Sequence, residues 1–137
     1  MNECNGQTRS DRIQQIGQMI LASKKITDIK NWDGLSLVIT LREGRGGSVH
    51  GFYYLKNGNF GATSTGQVGK TITEFHALRN IMYEETGERW CQALVHLTRP
   101  GPDINIKFEY DNPQRWKPSI SGLDMTDYAN SIKPPIG

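Results

Sequence analysis

The chain has 137 residues, a formal net charge of +2, 36% hydrophobic and 22% charged residues. That length suits one domain, and the composition excludes a disordered or collagen-like chain. Charge so close to balance lacks the strong basic excess of a dedicated nucleic-acid binder, so no direct nucleic-acid contact is expected.

Two cysteines, Cys4 and Cys91, are too few for a disulfide scaffold and read as reduced thiols of a cytoplasmic protein. No apolar run approaches the ~18 residues of a membrane helix. The polar start, residues 1–12, has no signal-peptide core.

Residues 1–7 read as a flexible leader. Residues 10–24 carry Ile13, Ile16, Ile20 and Leu21 on one helical stripe, with Thr8 or Ser10 as cap and Lys24 and Lys25 closing the last turn. Residues 35–42 alternate apolar and polar side chains, the two-residue period of a strand. Residues 49–64 read as a hairpin about Asn57-Gly58, a pair in which both residues tolerate positive φ. Thr71 and Glu74 form a capping-box pattern that opens a helix running to Thr86, with Gly87 as its left-handed end. Phe75, Leu78, Ile81 and Met82 form its buried stripe, expected to face residues such as Leu94 and Phe108.

Residues 90–98 and 104–110 read as a second hairpin, turning through residues 99–103. Residues 124–132 fit a short helix ended by Pro134-Pro135. The expected fold is therefore α+β: a single antiparallel sheet of about five strands, with two main helices packed on one face. One domain spans residues 1–137, and a proline-containing tail, residues 117–137, packs on the body or on a partner.

Few residues carry chemistry. His50, His76 and His96 have no metal-ligand spacing around them; there is no HExxH, CxxC or GxSxG. No metal or cofactor is called for. Gly44-Arg45-Gly46-Gly47-Ser48 lacks a phosphate loop's ending and precedes a strand, so it reads as a turn. Cys91 reads as a core thiol. Glu84, Glu85 and Glu88 crowd a helix C-terminus, the end where the dipole disfavours anions. Residues 1–70 hold nine Lys/Arg against five Asp/Glu, and residues 71–137 seven against nine, so any acidic surface belongs to the C-terminal half. Aromatic residues concentrate in the two hairpins. Alternation sends some of these rings to the sheet's second face, which either stays open as an interaction surface or is covered by the tail.

The run Leu78-Arg79-Asn80-Ile81-Met82-Tyr83-Glu84-Glu85-Thr86-Gly87-Glu88-Arg89-Trp90, the strand Ala93-Leu94-Val95-His96-Leu97 and the return strand Ile106-Lys107-Phe108-Glu109-Tyr110-Asp111 resemble the YezG-like (DUF600) family. The preceding hairpin agrees in element order, and the tail from Trp116 onward lies outside the likeness. That family includes antitoxins and immunity proteins that protect bacteria from secreted or polymorphic nuclease toxins. The resemblance implies a binder rather than an enzyme, and it transfers no catalytic residue.

The leading expectation is an immunity protein or antitoxin, cytoplasmic, that occludes the active site of a cognate toxin domain, in first place a nuclease. Glu84, Glu85, Glu88, Glu109 and Asp111 would meet a basic cleft, and Tyr110 and Trp116 would anchor the contact. Should that surface be silent, the interface is expected on the basic half with Arg42, Arg45 and Lys56. Two alternatives stand beside it. One is a small hydrolase pairing His50 or His96 with a carboxylate; the other is a module that homodimerises through the sheet.

Overall fold

The computed structural model describes residues 8–44, 46–99, 103–116 and 125–135. The expected leader, residues 1–7, Arg45, the turn at residues 100–102 and the tail segments 117–124 and 136–137 lie outside the described residues.

The elements run α1 (Arg9–Ala22), α2 (Lys24–Thr27), β1 (Trp32–Leu41), β2 (Gly47–Leu55), β3 (Phe60–Thr63), α3 (Val68–Thr86), β4 (Gln92–Thr98), β5 (Asp103–Glu109) and α4 (Thr126–Ser131). The five strands form one antiparallel sheet in the order β3-β2-β1-β4-β5. This is the expected α+β architecture, with the two long helices, α1 and α3, on one face.

Helix α1 starts as its sequence suggests. Thr8 accepts from the Asp11 N–H (3.1 Å), and the Asp11 carboxylate accepts from the Thr8 N–H (3.3 Å), a closed capping box. It stops at Ala22, two residues early, because Ser23 turns extended (φ −64°, ψ 134°). Ser23 Oγ then accepts from the Gly66 N–H at 2.9 Å, which ties the helix end to the loop before α3. Lys24 and Lys25 fall in the one-turn α2, where Lys24 pairs with Asp28 at 3.2 Å.

Helix α3 begins one turn before its expected cap. Gln67 is the N-cap residue and makes no side-chain cap. Thr71 is buried inside the helix, where its hydroxyl donates to the Gln67 carbonyl at 2.9 Å and meets the Thr65 hydroxyl at 2.8 Å. Glu74 reaches across to Arg12 Nη1 at 2.5 Å, an ion pair that pins α3 to α1. The far end is as expected: Gly87 is left-handed (φ 76°) and its N–H donates to the Tyr83 carbonyl.

The first hairpin turns about Asn57-Gly58 as expected. Of that pair Gly58 alone has positive φ (90°). The Gly58 N–H donates to the Leu55 carbonyl (3.0 Å) and the Leu55 N–H to the Asn59 carbonyl (2.9 Å), so the loop is Lys56-Asn57-Gly58. This is the three-residue loop in which a glycine closes a tight turn.

The register sorts the side chains. Leu35, Leu37, Ile39 and Leu41 of β1 face the helices, with Val95 and Leu97 of β4 beside them. They pack against Ile16 and Ile20 of α1 and Phe75, Leu78 and Met82 of α3. Trp90 is fully buried here, edge-on to Phe75 with ring centroids 6.3 Å apart and tilted on Phe108 at 5.1 Å. Gly51 has to be glycine, because a Cβ there would lie 1.8 Å from the Ser36 carbonyl oxygen.

Leu94 does not face α3, contrary to expectation. Its position opposite Val38 puts it on the second face, in a cluster with Phe52, Tyr54, Trp116, Ala129 and Ile132. That face is covered, not open. Helix α4 and the residues around it lie on it, held by side chains of the sheet that bond the segment's backbone. Tyr54 donates to the Ala129 carbonyl at 2.6 Å, and His96 Nε2–H and Ser36 Oγ–H both donate to the Ile132 carbonyl, the first at 2.7 Å. The Tyr128 hydroxyl donates to the Trp116 carbonyl, which makes His50 Nε2 the donor in its 2.6 Å bond to that hydroxyl. A six-residue helix has little stability alone; these bonds satisfy carbonyls its C-terminal end leaves unpaired.

Candidate functional site

The expected partner surface converges on one end of the sheet. Helix α3 delivers Tyr83, Glu84 and Glu85 there, and the chain passes Glu88 and Arg89 before Trp90 dives into the core. The Cys91 N–H donates to the Glu109 carbonyl at 2.8 Å and its Sγ–H to the same oxygen at 3.3 Å. That pairing brings the end of β5, with Tyr110 and Asp111, to the same edge.

Glu84, Glu85, Glu88 and Asp111 are exposed. Glu85 is 3.7 Å from Arg9 Nε, a loose exposed pair of small energetic weight. Tyr83 and Tyr110 are 38% and 36% exposed, two of the four large exposed apolar side chains among the described residues. Arg89 lies over the Tyr83 ring, 4.5 Å from its centroid.

Two expected members are engaged elsewhere. Glu109 spends one oxygen on Arg115 Nη1 (2.7 Å) and the other on the N–H groups of Asp111 and Asn112 (3.0 Å each). These hydrogen bonds, Arg115's first, hold its carboxyl below the ordinary glutamate range. It is the anchor of a turn. Trp116 is only 8% exposed: its N–H donates to Gln92 Oε1 at 3.0 Å and its ring belongs to the second-face cluster, with Arg115 stacked outside it at 4.9 Å.

Sequence reasoning passed over Tyr83, although it follows Met82 by one helical step and so leaves the buried stripe. It also passed over Arg79, which is 8% exposed; here an arginine interrupts an apolar stripe, and the interruption was the available signal.

The histidines hold structure together. His50 and His96 bond the α4 segment, and His76 donates from Nε2 to the Gly46 carbonyl at 3.1 Å while Nδ1 accepts from Arg79 at 3.4 Å. His96 is buried, and desolvation lowers its pKa below the usual histidine value. Cys91 is a free thiol whose pKa is raised, by burial first and Glu109 second. Among the described residues no cluster of three His, Cys, Asp or Glu is placed to hold a metal, and no helix is long and apolar enough to cross a membrane.

The opposite end of the sheet is basic. Lys30, Lys56, Arg99 and Lys133 line an open groove of about 1430 Å³ with Asp33 as the acidic residue among the lining groups. Arg99 stacks on Trp32 at 4.0 Å. Arg42 lies at the other end of the strand layer, beyond the end of β1, so Arg42 and Lys56 do not form one surface. No family model matches the chain, and a search of curated proteins finds no match either.

Proposed function

We propose that the protein is an immunity protein or antitoxin that binds a toxin domain through the acidic, tyrosine-bearing end of its sheet. The observation that carries this reading is a set of exposed side chains at one end of the sheet, Tyr83, Glu84, Glu85 and Glu88 after the buried stripe of α3 and Tyr110 and Asp111 after β5. Tyrosine gives a contact large area at low entropic cost and is enriched at binding hot spots. Carboxylates around it complement a basic nuclease cleft. The resemblance to YezG-like proteins supports the same reading.

In this mechanism the edge sits over the toxin's active site and excludes its substrate. The tyrosines fill the desolvated centre and the carboxylates form the rim. A stable contact of this kind buries about 1,600 Å² in all. The work is done in the cytoplasm, where the toxin would otherwise reach its target. Rim charges act mostly on the association rate and weaken with salt.

The test takes a nuclease toxin domain, sought first in the reading frame next to this chain's gene, and measures association kinetics at two ionic strengths. Glu84→Lys with Glu85→Lys should slow association on the order of tenfold at low salt, an effect that shrinks at high salt. Tyr83→Ala should instead raise the dissociation rate. Unchanged kinetics in all variants would remove this edge from the interface.

A further inference from the structure

Between the end of β1 and the start of β4 lies a recess of about 460 Å³, lined by Arg42, Glu43, Arg79, Arg89 and Cys91 among others. Its floor includes an unusual side chain. Arg79 is 8% exposed, yet among the described residues no carboxylate lies within ion-pairing distance of it. Its guanidinium is aimed by two bonds: Nη1 donates to the Trp90 carbonyl at 3.1 Å and Nη2 to His76 Nδ1 at 3.4 Å. Nε–H is buried with no hydrogen-bond partner. A guanidinium has five N–H donors, so this one is under-used as well as uncompensated.

Buried arginine is almost always paired, because desolvating an isolated charge is costly. Here the nearest charges make matters worse before they make them better. Arg89 repels Arg79 and, after burial itself, is the main cause lowering its pKa; Glu43 opposes that. Arg89 stacks its face on Tyr83, which leaves its in-plane N–H groups free to bond in other directions. The recess thus presents three guanidinia against the single carboxylate of Glu43, a surplus of two positive charges.

We infer that the recess is a binding site for a dianionic phosphate group, free or carried as a monoester by a small molecule, held by Arg79, Arg89 and Arg42. A phosphate monoester carries close to two negative charges at neutral pH and three acceptor oxygens. Guanidinia bind it through paired N–H groups, and the charge of the site matches it where a single carboxylate would leave one positive charge over. Glu88 beside Arg89 and Glu43 in the lining repel an anion and limit the affinity. The recess lies at the same end of the sheet as the proposed toxin contact and Arg89 borders both, but the inference goes beyond that reading and its test needs no protein partner.

The full chain is titrated with inorganic phosphate, phenyl phosphate and benzoate at constant ionic strength, with calorimetry and the arginine Nε–H resonances as readouts. Phosphate should perturb the Arg79 Nε–H signal, phenyl phosphate should compete for the same site, and benzoate should do neither. The tighter of the two phosphates identifies the source, free or esterified. Arg89→Gln should weaken phosphate binding about tenfold, the usual scale for losing a charged hydrogen bond. Glu43→Gln should tighten it, a sign that a merely structural role for the cluster does not produce. Arg79→Gln should abolish binding; because Arg79 also holds the Trp90 carbonyl, the two exposed variants decide the matter if that one fails to fold. Equal binding of benzoate and phenyl phosphate, or phosphate binding indifferent to both Arg89→Gln and Glu43→Gln, overturns the inference.

Discussion

Glu109 closes β5 with both carboxylate oxygens engaged, one on Arg115 and one on two backbone N–H groups. Its carboxyl is therefore more acidic in the folded chain than in the unfolded one. The stability this provides is complete above the unfolded value of about 4.3 and is lost as pH falls through the folded value. Wild type should thus unfold at higher denaturant than Glu109→Gln at pH 7, and the gap should close on acidification below about pH 4. A gap that does not begin to narrow as pH falls below about 4 would mean that the turn is held by something other than this charge. Gly87 acts through backbone alone: nothing lies within 4 Å of where its Cβ would be, but φ is 76°. Gly87→Ala should then cost about 1–2 kcal/mol in a denaturant melt, the price of a left-handed residue with a side chain. Gly87 was legible because helix ends follow local rules. The duty of Glu109 was not, because Arg115 reaches it across a turn whose geometry no spacing rule gives, and an acidic residue in a sequence looks equally suited to a turn and to a partner.

At the scale of elements, period and local chemistry carried most of the reading. Phe75, Leu78 and Met82 are fully or almost fully buried where the helical stripe placed them. Leu78→Ala should destabilise the protein by about 2–5 kcal/mol in chemical denaturation, and a loss under about 0.5 kcal/mol would be incompatible with this packing. Where the reading missed, a distant group had outbid a local one. Thr71 and Glu74 have capping-box spacing, yet Thr65 engages the threonine and Arg12, on another helix, takes the glutamate. Leu94 alternates correctly in β4 but on the face opposite α3; a strand buried on both sides is apolar on both, so alternation does not say which side meets the helices. The expected interaction edge was half legible for a related reason. Glu84, Glu85 and Glu88 at a helix end have few ways to be buried, whereas Trp116 in a segment without periodicity gives no sign of which way it turns.

The whole molecule is two unequal cores back to back. Helices α1 and α3 cover one face of the sheet with a large apolar cluster, while the second face carries Val38, Phe52, Tyr54 and Leu94 under a short segment fastened largely by hydrogen bonds to its carbonyls. The segment's grip depends on His96, which is buried neutral. Its folded pKa lies below the unfolded value of about 6.5, so the unfolded chain binds the extra proton first. Stability should hold above pH 6.5 and fall as pH drops below it, and His96→Gln, which keeps a donor for the Ile132 carbonyl, should flatten that slope. Ile132→Asp tests the two-core description directly. A buried unpaired carboxylate costs roughly 3–5 kcal/mol, but the chain avoids the charge by undocking the segment, so the penalty cannot exceed what docking contributes. Hydrogen exchange should then lose protection at Ala129 and Ile132 while β1 and β4 retain theirs. The uncovered aromatic face should also make the variant's mass concentration-dependent, because an apolar surface of that kind associates in water. Loss of protection in β1 together with the segment would show instead that both faces fold as one cooperative unit.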